Sequence, residues 1–448
     1  AMADQPSTWL STTVLPEPLT KHQIITYRHL AYLIGDDNGS TYSNKVYRSS
    51  LGNSGIGSWA HISTLPDSLI GHQIVTGINY MYVLGGQKPS GIFSDKIYRA
   101  FLNTNGNLGD WEETDITLPV PMAFFEATFA NGYIYLVGGA TNDDPNSASG
   151  KVYFSTVGLD GDLSNFSETE ALPTPLNGHT LSVYDENLFV IGGFDDDGNT
   201  INAVYYSNIL NNGNCENWEN ATNLPASVSN HATTASNGLL TVIGGFDGTD
   251  LLKTTYYASL ADYPNFVWNT SEHELYDYVK DGQAMSYNGR ISFTGGENLS
   301  GASLQNARYN YATLNNNKVN SGTFVSYPFH QLGDVRNIES LNYYMIYNAP
   351  NTYEVSYRIA GNDGTWSNWF SGGMENPHTI QQEAQYLQYI FTLKSTNEEN
   401  LEMHDLTISI TGSELGGNLN AIDTLKAENS PYLVTSNISF TGGTHVIE

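Results

Sequence analysis

The chain is poor in positive charge: 17 Lys and Arg stand against 46 Asp and Glu in 448 residues, a formal net charge of −29. Nucleic acid and anionic membrane surfaces need a basic face, so both are excluded as general partners. A polyanionic substrate fits equally poorly. Charge of either sign is scarce, at 14% of residues against roughly 25% in an average protein. The polar surface must therefore be built from Asn, Ser, Thr and Gly. A single cysteine, Cys215, excludes an internal disulfide framework and a cysteine-rich zinc site. It reads as a lone thiol without a mechanistic role. No apolar run is long enough to cross a membrane as a helix. The opening Ala1-Met2-Ala3-Asp4 has neither a basic nor an apolar leader region, and residues 1–6 read as a cloning scar or leader remnant. There is no G-x-S-x-G, no H-E-x-x-H and no Walker loop. Acidity, scarce cysteine and abundant Asn, Gly and Thr suit an extracellular or cell-surface protein of prokaryotic type.

What is abundant is glycine, 43 residues, and tyrosine, 30 residues, a bias toward turns and strands. An apolar strand closed by Gly-Gly recurs: Tyr82–Gly86, Tyr135–Gly139, Phe189–Gly193, Thr241–Gly245 and Ser292–Gly296, with a weaker copy at Tyr32–Asp36. From Gly86 onward the second glycines are 53, 54, 52 and 51 residues apart. Each copy is followed by an aromatic strand carrying Tyr47, Tyr98, Tyr153, Tyr205, Tyr256 or Tyr309. A Gly/Asn turn and then Trp59, Trp111, Phe166, Trp218 or Trp268 follow. Leu-Pro closes most units, at Leu65, Leu118, Leu172 and Leu224.

A period near 50 with four short strands per unit marks a β-propeller. The Gly-Gly, Tyr and Trp signals resemble the kelch repeat over residues 7–315, which implies six blades. Trp9 and Leu15-Pro16 form a fourth-strand signature with no strands before it, and the unit at Arg308-Tyr309 lacks one. The N-terminal segment is therefore expected to supply the outer strand of the last blade, closing the ring and removing its exposed edges.

After Leu314 the repeat stops, and Asn315-Asn316-Asn317 reads as a linker. Residues 321–412 show alternating strands at Tyr353–Ile359 and Tyr386–Leu393, with Asp363-Gly364 as a hairpin turn. They read as a β-sandwich and resemble discoidin- or jelly-roll-type modules. Residues 413–448 read as a tail. Its stretch Ser430–Ile438 and Gly442–Glu448 is similar to the opening segment of right-handed parallel β-helix domains, so further domains are expected C-terminal to Glu448. The fold class is all-β throughout.

Aligned on Gly-Gly, the position thirteen residues before the first glycine holds His22, His72, Phe125, His179, His231 and Gly282. This position begins the innermost strand, at one mouth of the channel. Three readings stand side by side. The histidines are repeated structural residues bonded to the neighbouring blade, or they line a ligand site with Gln23, Gln73, Glu126 and Gln283, or they serve a catalytic or metal role. Imidazoles also suit Zn or Cu, but six-fold spacing holds them too far apart to share an ion. Loops after Gly-Gly open on the same face and carry Asp36, Asp37, Asp195, Asp197, Asp247 and Asp250. These are ordinary turn residues and are also the candidate calcium ligands; no other cofactor is required. In the C-terminal region Trp366 and Trp369 are read as sharing one face, either as packing or as a carbohydrate platform, with Arg358 and Gln388 nearby. Kelch-like copper oxidases use a cross-linked cysteine, but Cys215 sits in a hairpin remote from the histidines. Arg48, Arg99 and Arg308 stand beside the third-strand Tyr, a structural position.

The expectation from sequence is a non-enzymatic binding or adhesion region recognising a neutral glycan or a surface protein. The alternative is a secreted glycan-active enzyme (lyase, hydrolase or epimerase) with its site at the histidine-lined mouth.

Overall fold

A computed structural model describes residues 6–311, apart from positions 7, 28, 36, 40, 53–54, 78–79, 104–105, 159–160, 185–186, 211, 237 and 288–289, and beyond them the strands and short stretches named below. The chain divides into two units, Ala1–Leu314 and Asn315–Glu448.

The first unit holds six antiparallel blades of four strands, blade 1 carrying a fifth, short strand, Gly55–Ile56, paired with its third. Blade 1 runs Gln23–Tyr27, Leu30–Ile34, Lys45–Gly52 and Ala60–Thr64, from the innermost strand outward. The innermost and second strands of blades 2 to 5 are Gln73–Thr76 and Tyr80–Leu84, Glu126–Ala130 and Tyr133–Val137, Thr180–Tyr184 and Asn187–Ile191, and Ala232–Ser236 and Leu239–Ile243. Their third and outer strands begin at Ile97 and Glu112, Val152 and Ser167, Val204 and Glu219, and Thr255 and Asn269. Blade 6 combines Gln283–Tyr287, Arg290–Thr294 and Ala307–Tyr311 with Leu10–Ser11 as its outer strand, in the register Leu10↔Tyr309 and Ser11↔Arg308. The expected closure is therefore made by the N-terminal segment. Trp9, 1% exposed, anchors it among Leu239, Ile243, Leu275 and Ile291.

The second strand of a blade is covered on both faces. Leu30–Ile34, Tyr133–Val137, Asn187–Ile191 and Leu239–Ile243 are buried at every position. That explains why these strands read as continuous apolar runs rather than alternating ones. The core is a series of seams between blades: Tyr32, Ile34 and Val46 of blade 1 pack with Ile74, Val83 and Tyr98 of blade 2. Each such side chain contributes about 1.5–3 kcal/mol when fully buried.

The repeat signatures are the parts that join the blades. In the Gly138-Gly139 pair both residues have positive φ, 63° and 90°. A Cβ on Gly138 would lie 2.5 Å from Cε1 of His179 in blade 4, and one on Gly139 would lie 2.4 Å from Cβ of Phe125 in its own blade. The Gly139 amide donates to the Leu176 carbonyl on the way into blade 4 at 2.8 Å, and Gly86, Gly193, Gly245 and Gly296 make the same bond to Met122, Val228, Val279 and Leu19. On the opposite face a second-strand Tyr reaches the next blade's outer hairpin. Tyr82 Oη donates to Gly161 O at 2.8 Å and Tyr135 Oη to Gly213 O at 2.9 Å; Tyr32 does the same to Gly106. Two late tryptophans bond backbone just past the outer strand of the preceding blade, Trp218 Nε1 to Glu170 O and Trp268 Nε1 to Thr222 O, both 2.9 Å, and Trp111 Nε1 bonds Ser63 Oγ of blade 1 at 3.1 Å.

The second unit carries two antiparallel sheets. In one, Tyr386–Lys394 pairs with Ser321–Val325, Phe329–His330 and Thr352–Ala360, and the last pairs with Phe370–Ser371. In the other the order is His378–Ala384, Arg336–Ile346, Glu402–Thr411 and Gly417–Lys426. Gly417–Lys426 falls in the stretch read from sequence as a tail, and it extends this sheet. The Asp363-Gly364 turn and residues 427–448, with the β-helix-like segment, lie outside the described residues.

Candidate functional site

Every innermost strand is entered through a residue in the left-handed region. These are Lys21, Gly71, Phe124, Gly178, Asn230 and Asp281, with φ of 57°, 60°, 55°, 62°, 50° and 56°. Their backbones are linked around the channel: Lys21 N donates to Asp281 O, Phe124 N to Gly71 O, Asn230 N to Gly178 O and Asp281 N to Asn230 O, at 2.8–2.9 Å. Gly, Asn and Asp accept this conformation readily, whereas Lys and Phe are held in it at a cost of roughly 1–2 kcal/mol. The Phe124 ring lies over Gly71, and Lys21 Nζ sits 5.2 Å from its centroid.

The next residue in each blade turns away from the channel into the seam. His22, His72, His179 and His231 are all buried. His22 Nε2 meets Thr294 Oγ1 of blade 6 at 2.9 Å, and His231 Nε2 meets Thr180 Oγ1 of blade 4 at 2.8 Å. Burial holds the imidazoles far below their ordinary range, His22 and His231 at about 3 and His72 and His179 at about 4. They are neutral packing pieces at physiological pH, and only the edges of His179 and His231 reach the mouth.

The following residue turns inward again. Gln23, Gln73, Glu126 and Gln283 line a cavity of ≈ 520 Å³ at the mouth, under the ring of left-handed residues. Gln73 is 5% exposed. Oδ2 of Asp281 is buried and has no hydrogen-bond partner. Burial pushes the Glu126 carboxyl up to about 8, offset in part by the Leu181 backbone. Burial also raises Asp281, against the pull of Lys21 and Lys280. The cavity thus presents carboxamides and a neutral carboxylic acid, a lining suited to recognition by hydrogen bonds.

The loops after Gly-Gly open on this face, as expected. Each bridges back to the segment that enters an innermost strand, at Thr20↔Asp37, Ile70↔Gln87, Asn177↔Phe194 and Ser229↔Phe246. Their carboxylates close their own turns. Asp37 Oδ1 accepts from Gly39 N at 2.8 Å, Asp195 Oδ1 from Asp197 N and Asn199 N at 3.0 and 2.8 Å, and Asp247 Oδ1 from Thr249 N and Asp250 N at 2.8 Å. Asp197 and Asp250 are exposed, and Asp36 lies outside the described residues. Among the described residues no group of three or more His, Cys, Asp or Glu is placed to hold a metal ion.

In the second unit Trp366 and Trp369 clasp one guanidinium. Arg358, 1% exposed, lies 4.7 Å from one ring and 4.8 Å from the other. A spacing of three puts side chains on opposite faces of a regular strand, so the shared face read from sequence has another origin. Residues 367–369 are not in strand, so the strand alternation does not govern them, and both rings stand against Arg358. Gln388 is the direct cross-strand partner of Arg358. Cys215 is buried in its hairpin, away from the mouth. Arg48 and Arg99 reach the next blade's hairpin, at Gly106 and Asp162.

Residues missed by the sequence reading are the ring members Lys21, Phe124, Asn230 and Asp281. Their one common signal is position, immediately before the aligned histidines, and only Asn and Asp among them are types that favour the left-handed region.

Residues 124–321 match the KLHDC2/KLHL20/DRC7 Kelch-repeats domain. A stretch of 130 residues is 27% identical to beta-scruin of Limulus polyphemus, covering 29% of this chain and 14% of beta-scruin. The chain thus aligns with a small part of that relative's length. The solved structure of YjhT is similar in fold, with a TM-score of 0.55 and 15% identity over 66% of this chain and 95% of YjhT. Kelch repeats are thus matched over residues 124–321 of the six-bladed propeller.

Proposed function

We propose that the propeller is a binding module that docks a protein partner on its mouth face. Kelch propellers are generally protein-binding scaffolds, which favours protein over neutral glycan among the occupants expected from sequence. The observation that carries the reading is the cavity with its buried Gln73 carboxamide and unpartnered Asp281 Oδ2, framed by Lys21 and Phe124 in a costly backbone conformation. Such strain persists where the surroundings over-determine it, most often at ligand sites. Exposed apolar side chains stand on the same face: Tyr276 and Tyr278 before the innermost strand of blade 6, Leu299 after its Gly-Gly pair, and Ile92 after that of blade 2. They supply the apolar contacts and the cavity the specific polar ones. The setting that goes with this reading is extracellular or cell-surface, from the composition.

Selection of a displayed random-peptide library on the whole chain tests it. Binders should be lost when Asn146→Trp and Gln283→Trp close the mouth, and retained when Phe101→Ser alters the opposite face. Binders indifferent to the mouth substitutions refute the reading.

A further inference from the structure

The mouth has a polarity of its own. Gln73 and Glu126 occupy equivalent places at the starts of adjacent innermost strands, in blades 2 and 3. One is a 5% exposed carboxamide. The other is a carboxyl whose burial is offset only in part, by the Leu181 backbone. Gln23 extends the row of amides into blade 1. At the rim the protein holds its own cation against an aromatic face, Lys21 over Phe124, the geometry of a cation–π contact. Outside it the exposed acidic turns of Asp195–Asp197 and Asp247–Asp250 face the same way, within a chain of net charge −29. A field of that sign draws in cations and repels anions.

On the premise that the mouth is the docking site, we infer that the inner cavity takes a cationic side chain of the partner, a lysine ammonium or an arginine guanidinium, which pairs with Glu126 and donates to Gln73. The aliphatic stem of that side chain lies against Phe124, and the acidic turns steer its approach. Empty, Glu126 carries a proton at neutral pH; pairing with the cation ionises it, and the proton goes to solvent. The other titratable groups facing the cavity do not compete for this role. His179 and His231 stay neutral across pH 6–8, and Asp281 already has Lys21 and Lys280 beside it. Lys21 opposes the incoming charge, so Lys21→Asn, which keeps a left-handed residue, should tighten binding.

Calorimetric titration of the whole chain with the capped peptide Gly-Gly-Lys-Gly-Gly and its Arg and Gln analogues tests the inference, in two buffers of different ionisation enthalpy. The Lys or Arg peptide should bind at least tenfold more tightly than the Gln peptide at pH 8. Its affinity should rise about tenfold from pH 6 to pH 7, following the ionised fraction of Glu126. Close to one proton should be released at pH 7. Glu126→Gln should abolish both the proton release and the pH dependence, and the proton count on the unaltered chain stands even if that variant does not fold. Equal binding of the Gln peptide, absence of proton release, or no binding by any of the three overturns the inference. The docking reading fails separately, if library binders ignore the mouth. Mouth-dependent binders without Lys or Arg leave docking standing and remove only the cation.

Discussion

Gly138→Ala is the sharpest probe of how the blades are joined. The substitution places a Cβ 2.5 Å from the His179 ring of the next blade and 2.9 Å from the Leu176 carbonyl. It also forces an alanine to φ 63°. The backbone term costs roughly 1–2 kcal/mol and the overpacked seam about 1–3 kcal/mol, so the loss should be about 2–5 kcal/mol. Gly198 supplies the control. Its φ is 79°, yet nothing lies within 4 Å of a Cβ there, so Gly198→Ala should carry the backbone term alone. The difference between the two variants isolates the contact with His179 and Leu176. Urea unfolding of the whole chain measures it, with an unchanged slope showing that the denatured state is the same. Equal losses for the two alanines would mean that the first glycine of the pair serves only the turn, and the account of the seam would be wrong.

Trp9→Ala should cost about 3–5 kcal/mol, the usual loss for a fully buried tryptophan, and should unfasten the outer strand of blade 6; unchanged unfolding would show that closure does not depend on the N-terminal segment. The four buried histidines bind protons in the unfolded chain near pH 6.5 but in the folded chain only near 3–4. Their contribution is therefore intact above pH 6.5 and is lost as pH falls from there, by up to about 1.4 kcal/mol per unit for each histidine. Melting temperature followed from pH 7 to pH 4.5 checks this, and a flat profile contradicts it. Arg358→Lys should destabilise the second unit by about 1–2 kcal/mol, because an ammonium cannot stack between Trp366 and Trp369 as the planar guanidinium does; tryptophan fluorescence during unfolding reads it, and no shift speaks against the clasp.

The propeller was legible because its joints are made of residue types with few substitutes. The double glycine recurs since two close approaches and two positive φ angles leave no room for a side chain. The second-strand tyrosines of blades 1 to 3 each span a seam to a backbone carbonyl, and so do Trp218 and Trp268. The unpaired signature at Trp9 and Leu15 disclosed the closure for the same reason. The mouth was harder to read. Gln73 and Glu126 could be picked out by counting from the histidines, but the left-handed ring shares a conformation and not a residue type, so Lys21 and Phe124 left no pattern. The histidines show the reverse: four of six positions agree in residue type, and all four imidazoles are buried in the seams. Trp366 and Trp369 were visible as a pair, while the guanidinium between them depends on a strand pairing that spacing alone does not give.

The most direct test of the mouth as the docking site is to give a library-selected binder a photoreactive benzophenone and map its cross-links on the whole chain by mass spectrometry. Docking at the mouth predicts adducts at residues 71–73, 124–126, 276–283 and the neighbouring loop at 194–198. Adducts confined to residues 101–103, 106–109, 161–164 or 212–216 of the outer hairpins, on the opposite face, would contradict it.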